Sequence, residues 1–184
     1  MFCPYFFKLQ INRVTYPYNI MCLDHKLVKE HSFVTALSKV QNLCSKQEKC
    51  CFDIRKKLDL WQLSLDEQDK IIQSLIDDKF IDENRYAVFY VRDKYRFNKW
   101  GRRKITYHLK KKKIPELIIA NALEGISEQE YENNLEEILA SKVRSIREDD
   151  PYKLKAKLYR FAESRGFESN LILKNIEKLL HKNN

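Results

Sequence analysis

The chain has 184 residues, 43 % hydrophobic and 33 % charged, with 35 Lys and Arg against 26 Asp and Glu, a formal charge of +9. Its three glycines, Gly101, Gly125 and Gly166, are too far apart for G-x-G-x-x-G or a P-loop, so both phosphate-cradling loops are excluded. The composition supports a core rather than disorder, no apolar run nears the roughly 18 residues of a membrane span, and the positive balance points to a polyanionic partner.

Residues 1–30 fit none of the patterns that follow. Phe7, Leu9 and Ile11 alternate as a short strand would. Met1–Asn12 is rich in aromatics but lacks the basic start and small-residue cleavage site of a signal peptide. A flexible extension is expected, or translation from too early a start, with Met21 as the true one. The five cysteines, Cys3, Cys22, Cys44, Cys50 and Cys51, form no C-x-x-C, and Cys22 with His25 makes a lone C-x-x-H. Free thiols in a reducing cytosol are the expectation, with no zinc site and no disulfide scaffold.

From residue 31 onward the apolar spacing is helical. Phe33, Ala36, Leu37, Val40, Leu43 and Cys44 form one stripe; Cys51, Ile54, Leu58 and Trp61 a second; Ile71, Ile72, Leu75 and Ile76 a third. Tyr131, Leu135, Ile138, Leu139 and Ile146 continue the pattern, and Ile172, Ile176, Leu179 and Leu180 close it. Ser45–Glu48, Ser64–Glu67 and Ser127–Glu130 each match S-x-x-E, the capping box at a helix start. Pro115 and Pro151 suit first turns, Asp150 suits an N-cap, and Gly125 suits the position after a helix end.

These helices repeat. Ala36, Ala87 and Ala140 are spaced by 51 and 53, as are Ile54, Ile105 and Leu158, and Leu58, Leu109 and Ala162. Leu63, Ile114 and Phe167 close the second helix of each unit, and Ile71/Leu75, Ile119/Leu123 and Ile172/Ile176 open the third. An all-α chain of three tandem three-helix, helix-turn-helix-like repeats is expected, at 31–80, 81–126 and 127–184. Units of this size bury too little alone, so stacking them into an elongated, curved body gives a continuous core.

The charge is local. Residues 85–113 hold twelve cations against Asp93 alone, a net +11, so the rest of the chain sums to −2. Tyr90, Tyr95, Phe97, Trp100 and Tyr107 lie among them. Cations interleaved with aromatics suit phosphate contact with base stacking, and equally an acidic protein surface. Candidate binding residues are Arg92, Arg96, Lys99, Trp100, Arg102, Arg103, Lys104, Lys110, Lys111 and Lys112, with Trp100–Arg103 read as a turn. Asp77, Asp78, Asp82 and Glu83 read as acids favouring a helix start rather than as a metal site. His25, His31, His108 and His181 are dispersed, and no nucleophile arrangement stands out, so no enzyme, cofactor or metal is expected.

The run Ile76-Asp77-Asp78-Lys79-Phe80-Ile81-Asp82-Glu83-Asn84-Arg85-Tyr86-Ala87 resembles the L-x-D-D-x-x-F-A region of RecX family regulatory proteins. The resemblance continues through Tyr90-Val91-Arg92, Phe97-Asn98-Lys99-Trp100-Gly101, Ile105, Leu109 and Ile114. Arg160-Phe161-Ala162-Glu163-Ser164-Arg165-Gly166-Phe167 is similar to the family's R-F-L-x-x-R-G-F segment, with Ala162 where a leucine is common. It spans about residues 34 to 180. The resemblance implies a cytoplasmic, monomeric, cofactor-free protein that binds RecA recombinase on single-stranded DNA, lodges in the filament groove and damps strand exchange, co-protease activity and the SOS response. Two rivals are weighed beside it. One is a helix-turn-helix DNA-binding regulator acting without RecA, with residues 101–113 as recognition helix. The other is a metal-dependent nuclease using Asp77 and Asp78.

Overall fold

A computed structural model describes residues 32–182. The expected strand at Phe7–Ile11, the C-x-x-H pair, His31 and the question of Met21 lie outside the described residues. Among those described there are nine helices and no strands: α1 Phe33–Lys46, α2 Cys51–Leu60, α3 Leu65–Asp77, α4 Glu83–Arg96, α5 Arg102–Lys111, α6 Glu116–Glu124, α7 Glu128–Ser145, α8 Pro151–Arg165 and α9 Ser169–Lys182. No helix among them is long and apolar enough to cross a membrane.

The helices pack in triplets: α1 and α2 on α3, α4 and α5 on α6, and α7, α8 and α9 on one another. Ile54, Ile105 and Leu158 are all buried, and Leu58, Leu109 and Ala162 are fully so, because each sits on the inner face of its triplet's second helix. The end of that helix repeats at the backbone. Gln62, Lys113 and Gly166 each have positive φ, and the next residue donates back five positions: Leu63 N–H to Leu58 O, Ile114 N–H to Leu109 O, and Phe167 N–H to Ala162 O, at 3.2–3.3 Å. This is the Schellman closure, which ends the helix and drops an apolar residue into the core. Leu63, Ile114 and Phe167 are buried accordingly.

The first helix of the third triplet departs from the expected spacing. Ala140 is only half-buried, while Tyr131, Leu135 and Leu139 are 0 % exposed. They match Ala36/Val40/Cys44 and Ala87/Val91/Tyr95 as buried positions at i, i+4, i+8. The 18-residue α7 is longer than the 14-residue α1 and α4, so a single offset cannot register both the first and second helices.

Two of the three expected capping boxes differ as well. Ser64 and Glu67 form one in full. Ser45 lies inside α1, donating to Asn42 O, and Glu48 pairs with Arg85 instead. Ser127 occupies the N-cap of α7 but makes no side-chain cap bond. Pro115 is the N-cap of α6, whereas Asp150 caps α8 and Pro151 opens it as expected.

The apolar interior forms two clusters. One belongs to the first triplet and runs from Ala36 to Ile81. The other is shared by the second and third triplets, from Tyr86 to Ile176, with Cys50 reaching into it from the start of α2.

The joints between triplets follow one scheme. Neither α2 nor α5 has a side-chain cap of its own, since their N-caps are Cys50 and Gly101. The following triplet supplies it. Glu83 at the start of α4 accepts the Cys51 N–H at 2.9 Å, and the Tyr131 hydroxyl of α7 accepts the Arg102 N–H at 2.8 Å while donating to Glu168. The α8 helix, which no further triplet follows among the described residues, carries Asp150 and Pro151 of its own.

Gly101 and Gly166 are required by the second of these joints. A Cβ on Gly101 would stand 2.3 Å from Gly166 O, and one on Gly166 would stand 2.3 Å from Lys104 Cβ. This backbone approach lets Gly101 N–H donate to Arg165 O and Arg103 N–H to Gly166 O, at 2.8 and 3.1 Å. The open start of α5 thus meets the carbonyl end of α8, which satisfies orphan groups of both and opposes their dipoles favourably. Tyr95, Tyr131 and Phe167 stack across the same joint with centroids 6.2 and 5.1 Å apart.

Candidate functional site

The cations of residues 85–113 divide into those that hold the fold and those that face outward. Arg102 is structural. It opens α5 rather than lying in a turn, its guanidinium grips Glu128 through both nitrogens and sits 4.2 Å from the Tyr131 ring centroid, and one nitrogen donates to Ile126 O. Its side chain is 24 % exposed. Lys112 is structural too: it caps the end of α5 and bonds both oxygens of Asp53 at 2.6 Å, tying the second triplet to α2. Lys99 pairs with Glu137 of α7, and Lys110 pairs with Glu116 of α6. Arg85 pairs with Glu48 across the first joint.

The remaining candidates sit on two surfaces. Arg92 and Arg96 project from the outer face of α4, exposed and without an ion pair among the described residues. Trp100, Lys104, Tyr107, His108 and Lys111 gather around α5. The Trp100 ring lies 4.7 Å from that of His108, with the Lys104 ammonium 4.7 Å and the Lys94 ammonium 5.9 Å from its centroid. Tyr107 packs edge-on to His108 and carries Lys111 at 4.6 Å. Arg103 stands beside them at an open recess of about 320 Å³ that reaches Glu163 and Ser164 of α8. Lys104 bonds the Ser164 carbonyl and, among the described residues, no carboxylate.

Helical spacing explains the gathering. Lys104, His108 and Lys111 are four and three residues apart, so they share one flank of α5, while Ile105 and Leu109 occupy the buried flank. The loop after α4 returns Trp100 to that flank because Lys99 takes positive φ and Trp100 N–H closes onto Lys94 O. The electrostatic consequence falls on His108. Partial burial, then Lys104, Lys111, Lys112 and Lys94, hold its imidazole below the ordinary histidine range. An anion laid over this cluster relieves lysine repulsion and raises the proton affinity of His108 in the same event.

His108, Tyr107 and Lys94 belong to this cluster but were not among the sequence candidates. The signal for His108 was its four-residue spacing from Lys104, which becomes meaningful only once the exposed flank of α5 is known.

The acids and thiols fall elsewhere. Asp82 caps α4 through Arg85 N–H, Asp77 and Asp78 accept from Gln73 and Ser74 near the end of α3, and Glu83 caps α2. No group of three His, Cys, Asp or Glu side chains among the described residues is placed to hold a metal ion. Cys44, Cys50 and Cys51 are free. Burial raises the pKa of Cys50 to about 11, and burial with the Glu83 hydrogen bond raises that of Cys51 to about 12.

Comparison with known proteins locates the fold. Residues 82–123 match the second three-helix domain of RecX, and residues 129–174 match its third three-helix domain. The regulatory protein RecX of Clostridium perfringens (strain 13) is 32 % identical over 146 residues, covering 78 % of this chain and 68 % of its own. That of Clostridium acetobutylicum is 30 % identical over 162 residues, covering 86 % and 75 %. A crystal structure of regulatory protein RecX superposes with a TM-score of 0.73 at 23 % identity, over 79 % of this chain and 73 % of that one. RecX from Lactobacillus salivarius gives 0.71 at 22 % identity, over 80 % and 96 %.

Proposed function

The chain belongs to the RecX family of regulatory proteins, and from that premise we propose that it is a non-catalytic regulator of RecA recombinase. It binds the RecA filament on single-stranded DNA and limits its activity. The observation that carries this is the α5 cluster. Among the described residues Lys104 and Lys111 bond no carboxylate, they flank Trp100 and Tyr107, and no acid lies between residues 100 and 113. Such a surface engages phosphates and the planar faces of bases together. Arg103, Lys104 and Lys111 are the contacts of choice. Arg102 and Lys112 support the surface from within the joints.

The arrangement of α5 argues against a helix-turn-helix reader acting alone. A recognition helix presents its N-terminal residues to base edges. Here that end is packed on Gly166, hydrogen-bonded to Tyr131 and closed by the Arg102–Glu128 pair.

Co-sedimentation with RecA on single-stranded DNA across a salt series tests the proposal, alongside RecA ATPase activity. Wild-type protein pellets with the filament, inhibits ATP hydrolysis and dissociates as salt rises. Each phosphate contact with a single strand contributes about 0.7 to the log–log slope. Arg103→Glu with Lys111→Glu therefore lowers the slope by roughly 1.4 if both touch phosphate. Undiminished ATPase inhibition by that folded double variant would remove the α5 cluster from the interface.

A further inference from the structure

The exposed side of α4 has a chemistry different from that of α5. At 100° per residue, Val88, Arg92, Arg96 and Phe89 fall within a stripe about 100° wide. Val88 and Phe89 are each 52 % exposed, large apolar groups left in water on a helix whose opposite side is packed into the core. Arg92 and Arg96, four residues apart, flank them and make no ion pair among the described residues.

Beside the stripe lies a cleft of about 650 Å³ between α4 and the connection from α1 to α2. Phe89 belongs to both. With Tyr86 and Tyr90 it forms the aromatic wall of the cleft, and Lys46 and Lys49 line the facing side. Within it Asp53 is paired with Lys112, Asp93 with Lys94, and Glu48 with Arg85. The surplus charge of the cleft lining is therefore Lys46 and Lys49; Arg92 and Arg96 lie outside it on the neighbouring stripe of α4, Arg96 bordering a second recess with Glu130 and Glu137 of α7.

We propose that this stripe and cleft form a docking site for a protein surface that offers one apolar side chain flanked by carboxylates. The apolar group enters the cleft against Phe89 and Tyr90, and the carboxylates meet Arg92 and Arg96. Phe and Arg are enriched at protein interfaces, Arg is among the residues that concentrate binding energy there, and the recess beside Phe89 provides a pocket for an anchor residue. Val88, an aliphatic group, offers no stacking face to a nucleic acid base. The second triplet thus has two faces, one cationic and aromatic on α5 and one arginine- and phenylalanine-bearing on α4. The inference rests on the regulatory reading, because RecA is the protein partner used to test it.

The experiment measures binding of purified RecA from the same organism, without DNA, to immobilised wild type, Phe89→Ala, Arg92→Glu/Arg96→Glu, and a control with the same charge change at exposed Lys70 and Lys153. A fluorescent single-stranded oligonucleotide is titrated in parallel, and each variant is checked by thermal melting. Docking at α4 predicts at least tenfold weaker RecA binding by each α4 variant and less than a twofold change in the control. Wild-type affinity in both folded α4 variants overturns the proposal. So does a loss of oligonucleotide binding with RecA binding intact, which would make α4 a nucleic-acid surface. A wild-type chain that leaves RecA unbound, with or without DNA, overturns the regulatory reading and this inference together.

Discussion

Replacing Gly101 by Ala tests the joint between the second and third triplets. The new Cβ would stand 2.3 Å from Gly166 O, 2.4 Å from Gly166 C and 2.5 Å from Phe167 N. All three are backbone atoms, so no side chain can turn aside, and the start of α5 must move away from the end of α8. Forced overpacking of this kind costs about 1–3 kcal/mol. The movement also breaks the bonds from Gly101 N–H to Arg165 O and from Arg103 N–H to Gly166 O. At about 1 kcal/mol per hydrogen bond the loss reaches roughly 3–5 kcal/mol. Gly125→Ala is the matched control. Its Cβ would meet only Ala122 O, at 3.5 Å, and Gly125 already has a φ of −68°, which alanine adopts freely. Less unfolded-state entropy makes that variant equal to wild type or more stable by about 0.4–1 kcal/mol. Urea unfolding followed by far-UV circular dichroism compares the two. A Gly101→Ala variant within 1 kcal/mol of wild type would refute the close backbone approach and, with it, the placing of α5 on α8.

Four further outcomes are expected. Gln62→Gly relieves a non-glycine residue at φ 57° in the same closure that uses Gly166 in the third triplet, and stabilises the chain by about 0.5–1 kcal/mol in urea titration. Arg102→Ala costs about 1–2 kcal/mol, because a half-buried guanidinium loses Glu128, Ile126 O and the Tyr131 ring, whereas Arg103→Ala at an exposed position stays within about 0.5 kcal/mol. Since the fold holds His108 below its ordinary value of about 6.5, the unfolded chain binds more protons between the two values; His108 therefore costs the fold nothing above pH 6.5 and lowers the melting temperature as pH falls through that value, a decline that His108→Gln reduces. Cys50 and Cys51, with thiols raised to about 11 and 12, react with iodoacetamide at pH 8 far more slowly in the native protein than in urea.

The helical period was legible because it requires nothing beyond the chain itself. Ile54, Leu58, Ile105, Leu109, Leu158 and Ala162 recur at constant offsets, and all are buried. Ser64–Glu67 and Asp150–Pro151 were legible for the same reason, since each is a cap within its own helix. The misassigned cap at Ser45 shows the limit. S-x-x-E occurs there, but Glu48 is drawn away by Arg85, 37 residues later, and the N–H that needs a partner is met by Glu83. The clustering of positive charge between residues 85 and 113 was equally plain in one dimension. Its division was not, because a lysine that neutralises Asp53 from 59 residues away looks the same in sequence as one that faces solvent.

Sequence by itself determined an all-α chain with three similar helical segments, a resemblance to RecX and a positive centre. Those properties depend on spacing and composition, which folding leaves unchanged. Tertiary structure decided which triplets share a core, why Gly101 and Gly166 must lack side chains, and which cations remain for a partner. Each of those depends on a close approach between residues distant in the chain. Arg102 and Lys112 became parts of joints, and Lys104, His108 and Lys111 became one surface, because α5 is held at its start by the third triplet and at its end by the first.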